Sequence, residues 1–182
     1  MKKIILSLAV SLTALTAGMA YAENPMVGGA AMYETKNIVE NALNSADHTT
    51  LVAAVKAAGL VETLMGPGPF TVFAPTDAAF AALPAGTVET LVQPANKAIL
   101  TKILTYHVVA GRVAAADVIA LIQAGGGSAA ITTVSGDTLT ASLRGGSVIL
   151  TDENGGVATV TQADVFQSNG VIHVTDTVSI PN

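Results

Sequence analysis

The sequence has 182 residues, 51% of them hydrophobic but only 4% aromatic, with 13 acidic against 8 basic side chains and neither Cys nor Trp. The lack of Cys excludes a disulfide scaffold, a Cys-ligated metal or iron–sulfur site, a thiol nucleophile and a cysteine-attached lipid anchor. A charged fraction of 12% beside so much aliphatic content excludes disorder as the main state, and dispersed basic residues in an acidic chain argue against nucleic acid as a partner.

At the start of the chain, Lys2 and Lys3 precede an apolar stretch from Ile4 to Ala17, and Ala20-Tyr21-Ala22 supplies a small-x-small cleavage pattern. Residues 1–22 are therefore expected to be a cleavable signal peptide. Beyond it no apolar run approaches the ~18–20 residues that span a bilayer. A secreted or periplasmic protein of bacterial type, without a transmembrane anchor and monomeric, is expected. Residues 23–33 carry Pro, Gly, Ala and Met without periodicity and read as a flexible N-terminal arm, followed by one domain over residues 34–182.

Ile38, Val39, Ala42 and Leu43 fall at helical spacing, as do Leu51, Val52, Val55 and Ala58, with Gly59 as the C-cap of the second helix. A short helix follows over residues 60–65, and Gly66-Pro67-Gly68-Pro69 turns the chain into a buried strand, Phe70 to Ala74. Thr76 or Asp77 can cap a short helix through Phe80 and Leu83. A longer helix is expected from about Ala95 to Tyr106 with Ile99, Leu100, Ile103 and Leu104 on its inner stripe, and another over residues 113–123. After Gly125-Gly126-Gly127 the period changes to two, with strands near 130–135, 138–143, 147–151 and 157–161 separated by hairpin chemistry, and a last strand over residues 171–178. Helices first and strands later, with one strand between helices, argue an α+β domain.

Three segments in this order resemble the fasciclin (FAS1) domain family. Phe70-Thr71-Val72-Phe73-Ala74-Pro75-Thr76-Asp77-Ala78-Ala79-Phe80 resembles its first box, and Asn169-Gly170-Val171-Ile172-His173-Val174-Thr175-Asp176 its second. Between them, Leu104-Thr105-Tyr106-His107-Val108-Val109-Ala110-Gly111 matches its tyrosine–histidine motif. The likeness runs from about Ile38 to Pro181. It implies a wedge of two mainly antiparallel β-sheets, about seven strands in all, with several helices packed around it. In animal matrix members a Tyr-His pair and an Asp-Ile pair are implicated in integrin binding. The resemblance carries these onto Tyr106-His107 and Asp164-Val165, the Val being a departure.

The residue types also bear a plainer reading. His107 and His173 lie in the boxes themselves and are expected to be hydrogen-bonded near the core, whereas His48, in a polar stretch, is expected to be solvated. No HExxH, no histidine pair at helical spacing and no Gly-x-Ser-x-Gly elbow is present, so no metal, cofactor or catalytic group is expected. Asp152-Glu153-Asn154-Gly155 lacks the ligand pattern of a calcium loop and reads as a hairpin turn. The Asp164 alternative is a turn cap, with Val165 and Phe166 filling the core. The function expected is a non-enzymatic adhesion or interaction module for a cell-surface or matrix protein or glycan; the competing expectation is a carrier of a small apolar ligand or lipid. N-terminal sequencing of protein recovered from outside the cytoplasm should begin at Glu23, and a cytoplasmic chain retaining Met1 would contradict the export reading.

Overall fold

A computed structural model describes residues 24–182; the expected signal peptide lies outside them. The chain opens with a small antiparallel hairpin, β1 (Met26–Val27) and β2 (Ala30–Ala31). The segment read from sequence as a loose arm thus carries regular structure, and it is anchored: Val27 and Met32 are buried in the core, Met32 at 1% exposure. Burial of these two apolar side chains supplies what local periodicity does not.

Helix α1 (Ile38–Ala42) starts with a reciprocal cap in which the Glu40 amide donates to Asn37 Oδ1 at 2.9 Å and the Asn37 amide to Glu40 Oε2 at 2.9 Å. Helix α2 (Thr49–Ala58) ends at Gly59, whose φ of 74° is the left-handed conformation that lets its amide reach back to the last turn. Then come α3 (Val61–Met65), strand β3 (Phe70–Pro75) and α4 (Asp77–Ala81), capped by Thr76 Oγ1 accepting from the Ala79 amide. Helix α5 (Thr87–Leu91), a feature not read from the sequence, buries no residue fully. Helix α6 (Lys97–Tyr106) buries Leu100, Ile103, Leu104 and Tyr106, whereas Ile99, expected on the inner stripe, is 55% exposed. Strand β4 (Val108–Ala110) and helix α7 (Ala115–Ala124) lead into the meander β5 (Ser128–Thr132), β6 (Thr138–Arg144), β7 (Ser147–Thr151) and β8 (Val157–Gln167), and β9 (Gly170–Thr175) closes the order.

The seven main strands run β4-β3-β9-β8-β7-β6-β5, with every pairing antiparallel except β3 to β9. The long strand β8 serves both leaves of the wedge: residues 157–159 pair with β7, and residues from Val160 to Gln167 pair with β9 across two register shifts. Beyond β5 the Val134 amide donates to the Val108 carbonyl of β4 at 2.7 Å, tying the two ends of the sheet together. The α+β wedge expected from the family resemblance is therefore present.

Alternation along the central strands divides the interior into two clusters. Val72 and Ala74 of β3 and Ile172 and Val174 of β9 join α1 to α6 in one, together with Phe80 of α4. Phe73 points the other way, into the second cluster with Tyr106, Val118, Ile122, Leu139 and Leu150. Phe73 and Phe80, on either side of Pro75, thus anchor different cores at 2% and 6% exposure. Phe73→Ala and Phe80→Ala should each lower unfolding free energy by about 3–5 kcal/mol in urea titrations, a large part of the stability of an ordinary domain; midpoints within error of wild type would contradict this packing.

Candidate functional site

The chemistry-bearing side chains of the family boxes face inward. Tyr106 is fully buried, its hydroxyl donates to the Thr138 carbonyl at 2.8 Å, and burial pushes its pKa up to about 12. Its neighbour His107, 3% exposed, meets it edge-on with centroids 6.4 Å apart. The Ile103 carbonyl lies 2.8 Å from His107 Nδ1 and can only accept; the Ser179 amide lies 3.0 Å from Nε2 and can only donate. The two contacts together define a neutral ring protonated at Nδ1. His173 is the mirror case: Nε2–H donates to the Val113 carbonyl at 2.8 Å and Nδ1 accepts from the Asp164 amide at 3.3 Å, with the ring stacked on Phe73 at 5.6 Å.

His48 departs from the solvated position expected for it: it is 3% exposed at the start of α2, with Ser45 Oγ 2.8 Å from Nδ1. Among the described residues no group completes a hydrogen bond to its buried Nε2. All three histidines have lowered pKa values for the same reason, desolvation of the charged ring, against weaker opposing pulls from the Ala74, Ile103 and Val113 carbonyls and nearby carboxylates. The cap that His48 does not supply to α2 comes from Asp77, whose carboxylate accepts from Thr49 and Thr50. Burial alone would raise the Asp77 pKa, but these donors together bring it down.

Asp164 sits at the irregular stretch of β8 with a φ of 58°, a left-handed conformation that Asp tolerates better than most side chains. There its Oδ1 accepts from the Ala115 amide at 2.7 Å, capping the N-terminus of α7, while its own amide binds His173. Val165, the next residue, is fully buried in the first cluster. Of the four residues carried over from the resemblance, Tyr106, His107 and Val165 are inside the protein and Asp164 alone is half-buried. Beside it stands a group that the sequence did not single out: exposed Arg112 lies over the Phe166 ring, 4.7 Å from its centroid. Phe166, expected in the core, is half-buried.

Other polar residues outside that reading hold segments together. Asn169 accepts from the Ile38 amide at 3.0 Å and donates to the Leu64 and Gly66 carbonyls at 2.7 and 2.9 Å. Thr71 Oγ1 accepts from the Val113 amide at 2.8 Å and donates to the Gly111 carbonyl at 2.7 Å. Their sequence signal is a polar residue inside an otherwise apolar box.

Among the described residues no three or more His, Asp or Glu converge where a metal ion would sit. The apolar cavity beneath α1, α2 and α3 measures about 30 Å3 and a second one beside His48 about 10 Å3, room for a few solvent-sized molecules at most. An open groove of about 400 Å3 runs between α6 and the C-terminal residues, lined by Ile99, Ile103, Ile180 and Pro181.

Below the ordinary histidine value of 6.5 the unfolded chain takes up protons that the folded protein, with its three lowered pKa values, refuses. Stability is then fully present above that value and falls as pH drops, by up to about 1.4 kcal/mol per pH unit for each histidine, until the folded rings titrate. Urea midpoints should hold nearly constant from about pH 7.5 to 6.5 and decline between about pH 6.5 and 5.5; a profile flat throughout would mean that the histidines are not held neutral.

The comparisons with known proteins agree with this architecture. The Fasciclin domain family model matches residues 46–181. Protein sll1483 of Synechocystis sp. is 50% identical over 159 residues, spanning 87% of this chain and 81% of that protein. The immunogenic protein MPB70 of Mycobacterium bovis is 37% identical over 145 residues, 77% of this chain and 66% of its own. In structure, the FAS1 domain pair of the insect cell adhesion molecule Fasciclin I superposes with a TM-score of 0.70 at 18% identity, covering 79% of this chain and 50% of the pair. With most of its length matched by the family model and two box segments paired side by side in the sheet, the chain belongs to the fasciclin (FAS1) domain family.

Proposed function

We propose that this FAS1 domain is an exported, non-enzymatic adhesion module that binds a cell-surface or matrix protein or glycan through the surface around Asp164. One observation carries the reading: the histidines and the tyrosine of the boxes are buried and tied to the protein's own backbone, while Asp164, Arg112 and Phe166 present charge and aromatic surface to the outside. Groups so committed are not poised for acid–base or nucleophilic work, which needs a titratable side chain within reach of a substrate. Exposed aromatic and arginine side chains are the residue types enriched where proteins recognise one another. The name of the structural neighbour, a cell adhesion molecule, points the same way. Export is supported by the leader-like start of the sequence, and no helix among the described residues is long and apolar enough to cross a membrane. The enclosed cavities are small and the larger groove beside α6 is open to solvent, so the carrier reading has less support.

In this reading Tyr106, His107 and Val165 serve adhesion by positioning rather than contact, and Asp164 has a double role. Asp164→Asn keeps an oxygen for the Ala115 amide and tolerates the positive φ, so it should leave the thermal midpoint nearly unchanged, as should Arg112→Ala at an exposed site, within about ±0.5 kcal/mol. Both should weaken attachment of the purified domain to cells of its host. Asp164→Ala should instead destabilise by about 0.5–2 kcal/mol through loss of the cap. Unaltered attachment by both Asp164→Asn and Arg112→Ala would remove this surface from the function.

A further inference from the structure

We propose that residues 179–182 form a clasp that opens when His107 takes up a proton. The C-terminal segment has no helix or strand of its own and is held by individual hydrogen bonds. The Ser179 amide donates to His107 Nε2 at 3.0 Å, the Ile180 amide to Asp152 Oδ2 at 3.0 Å, and Asn154 Nδ2 donates to the Ile180 carbonyl at 2.9 Å. Further out, the Asn182 amide approaches Glu153 Oε2 at 3.4 Å and Lys102 donates to the Asn182 carbonyl. Only the first of these depends on an imidazole, whose hydrogen-bonding sense at Nε2 reverses when it takes up a proton.

Neutral His107 offers a lone pair at Nε2. A proton taken from solvent occupies that lone pair and sets an N–H against the Ser179 N–H, so a buried donor loses its acceptor and the contact becomes repulsive. The ring cannot turn to escape, because Nδ1–H is held by the Ile103 carbonyl at the end of α6. Among the described residues, the groups facing it come from three elements. Helix α6 contributes that carbonyl and the edge of Tyr106, β3 contributes Phe73, whose amide donates to the His107 carbonyl, and the turn between β7 and β8 contributes the Asp152 carboxylate. Asp152 is the charge that favours an imidazolium, and it is also the acceptor for Ile180. Protonation of His107 therefore strains one tail contact directly and draws on the acceptor of the next. Opening removes Ile180 and Pro181 from the rim of the groove beside α6 and uncovers Ile103, which is otherwise buried. The clasp does not rest on the adhesion reading.

The test is residue-resolved amide exchange on the full exported chain across mildly acidic pH, compared as protection factors. Ser179 and Ile180 should lose protection by about tenfold or more beyond whatever core amides such as Leu150 and Val171 lose, a local opening distinct from the global decline in stability. In His107→Gln the side-chain oxygen still accepts and does not titrate, so the tail should stay protected through the same range. As a second measure that does not need that variant, Ser179→Pro removes the donor, and the His107 pKa read from imidazole carbon shifts should rise. Tail amides that track the core at every pH, a Gln variant that loses its tail as wild type does, or an unmoved His107 pKa in Ser179→Pro would each overturn the clasp.

Discussion

The parallel pairing of β3 with β9 is the contact on which the rest of the domain depends. It brings Phe70 opposite Gly170 and runs without interruption to Pro75 opposite Thr175, joining segments about a hundred positions apart along the chain. The pairing demands glycine at 170, where a Cβ would stand 2.0 Å from the Phe70 carbonyl oxygen. Asn169 locks the same corner by bonding α1 and the end of α3 with one carboxamide. Because both strands are buried on both faces, each supplies side chains to two cores at once, and losing their register would disorganise both.

That arrangement explains why an otherwise aliphatic interior holds His107 and His173. Segments that leave regular structure carry backbone groups that need partners away from water: the Ile103 carbonyl, the Val113 carbonyl before α7, and the Ser179 amide in the tail. An imidazole can accept at one nitrogen and donate at the other, so one side chain joins two such segments. His107 joins the end of α6 to the tail, and His173 joins the α7 entry to the bulge of β8.

What was legible in the sequence was what is written locally. Gly59 stops a helix, Thr76 starts one, and the turns between the meander strands set their lengths within a few residues. The remainder depends on partners distant in sequence. Met26 to Ala31 has no period because its order comes from packing under Val27 and Met32, and Ile99 fits the apolar stripe of α6 yet lies at its edge, where no element covers it. His48 has polar neighbours in sequence but apolar ones in space, Val27, Met32 and Val165 among them. The resemblance located Asp164-Val165, but adjacent residues here have opposite environments, one capping α7 at the surface and the other in the core.

The same geometry bears on how an inward-facing motif can govern an outward-facing surface. Thr71 lies in the first box and is itself buried, yet its hydroxyl grips Gly111 and Val113, the residues on either side of Arg112. His173, in the second box, holds the Asp164 amide and the Val113 carbonyl. The cation over Phe166 and the carboxylate at the bulge are thus each suspended from a buried box residue through main-chain hydrogen bonds. A substitution at Thr71 or His173 would remove main-chain hydrogen bonds beside Arg112 and Asp164 without removing either side chain, so the box residues can set the geometry of this surface while themselves buried.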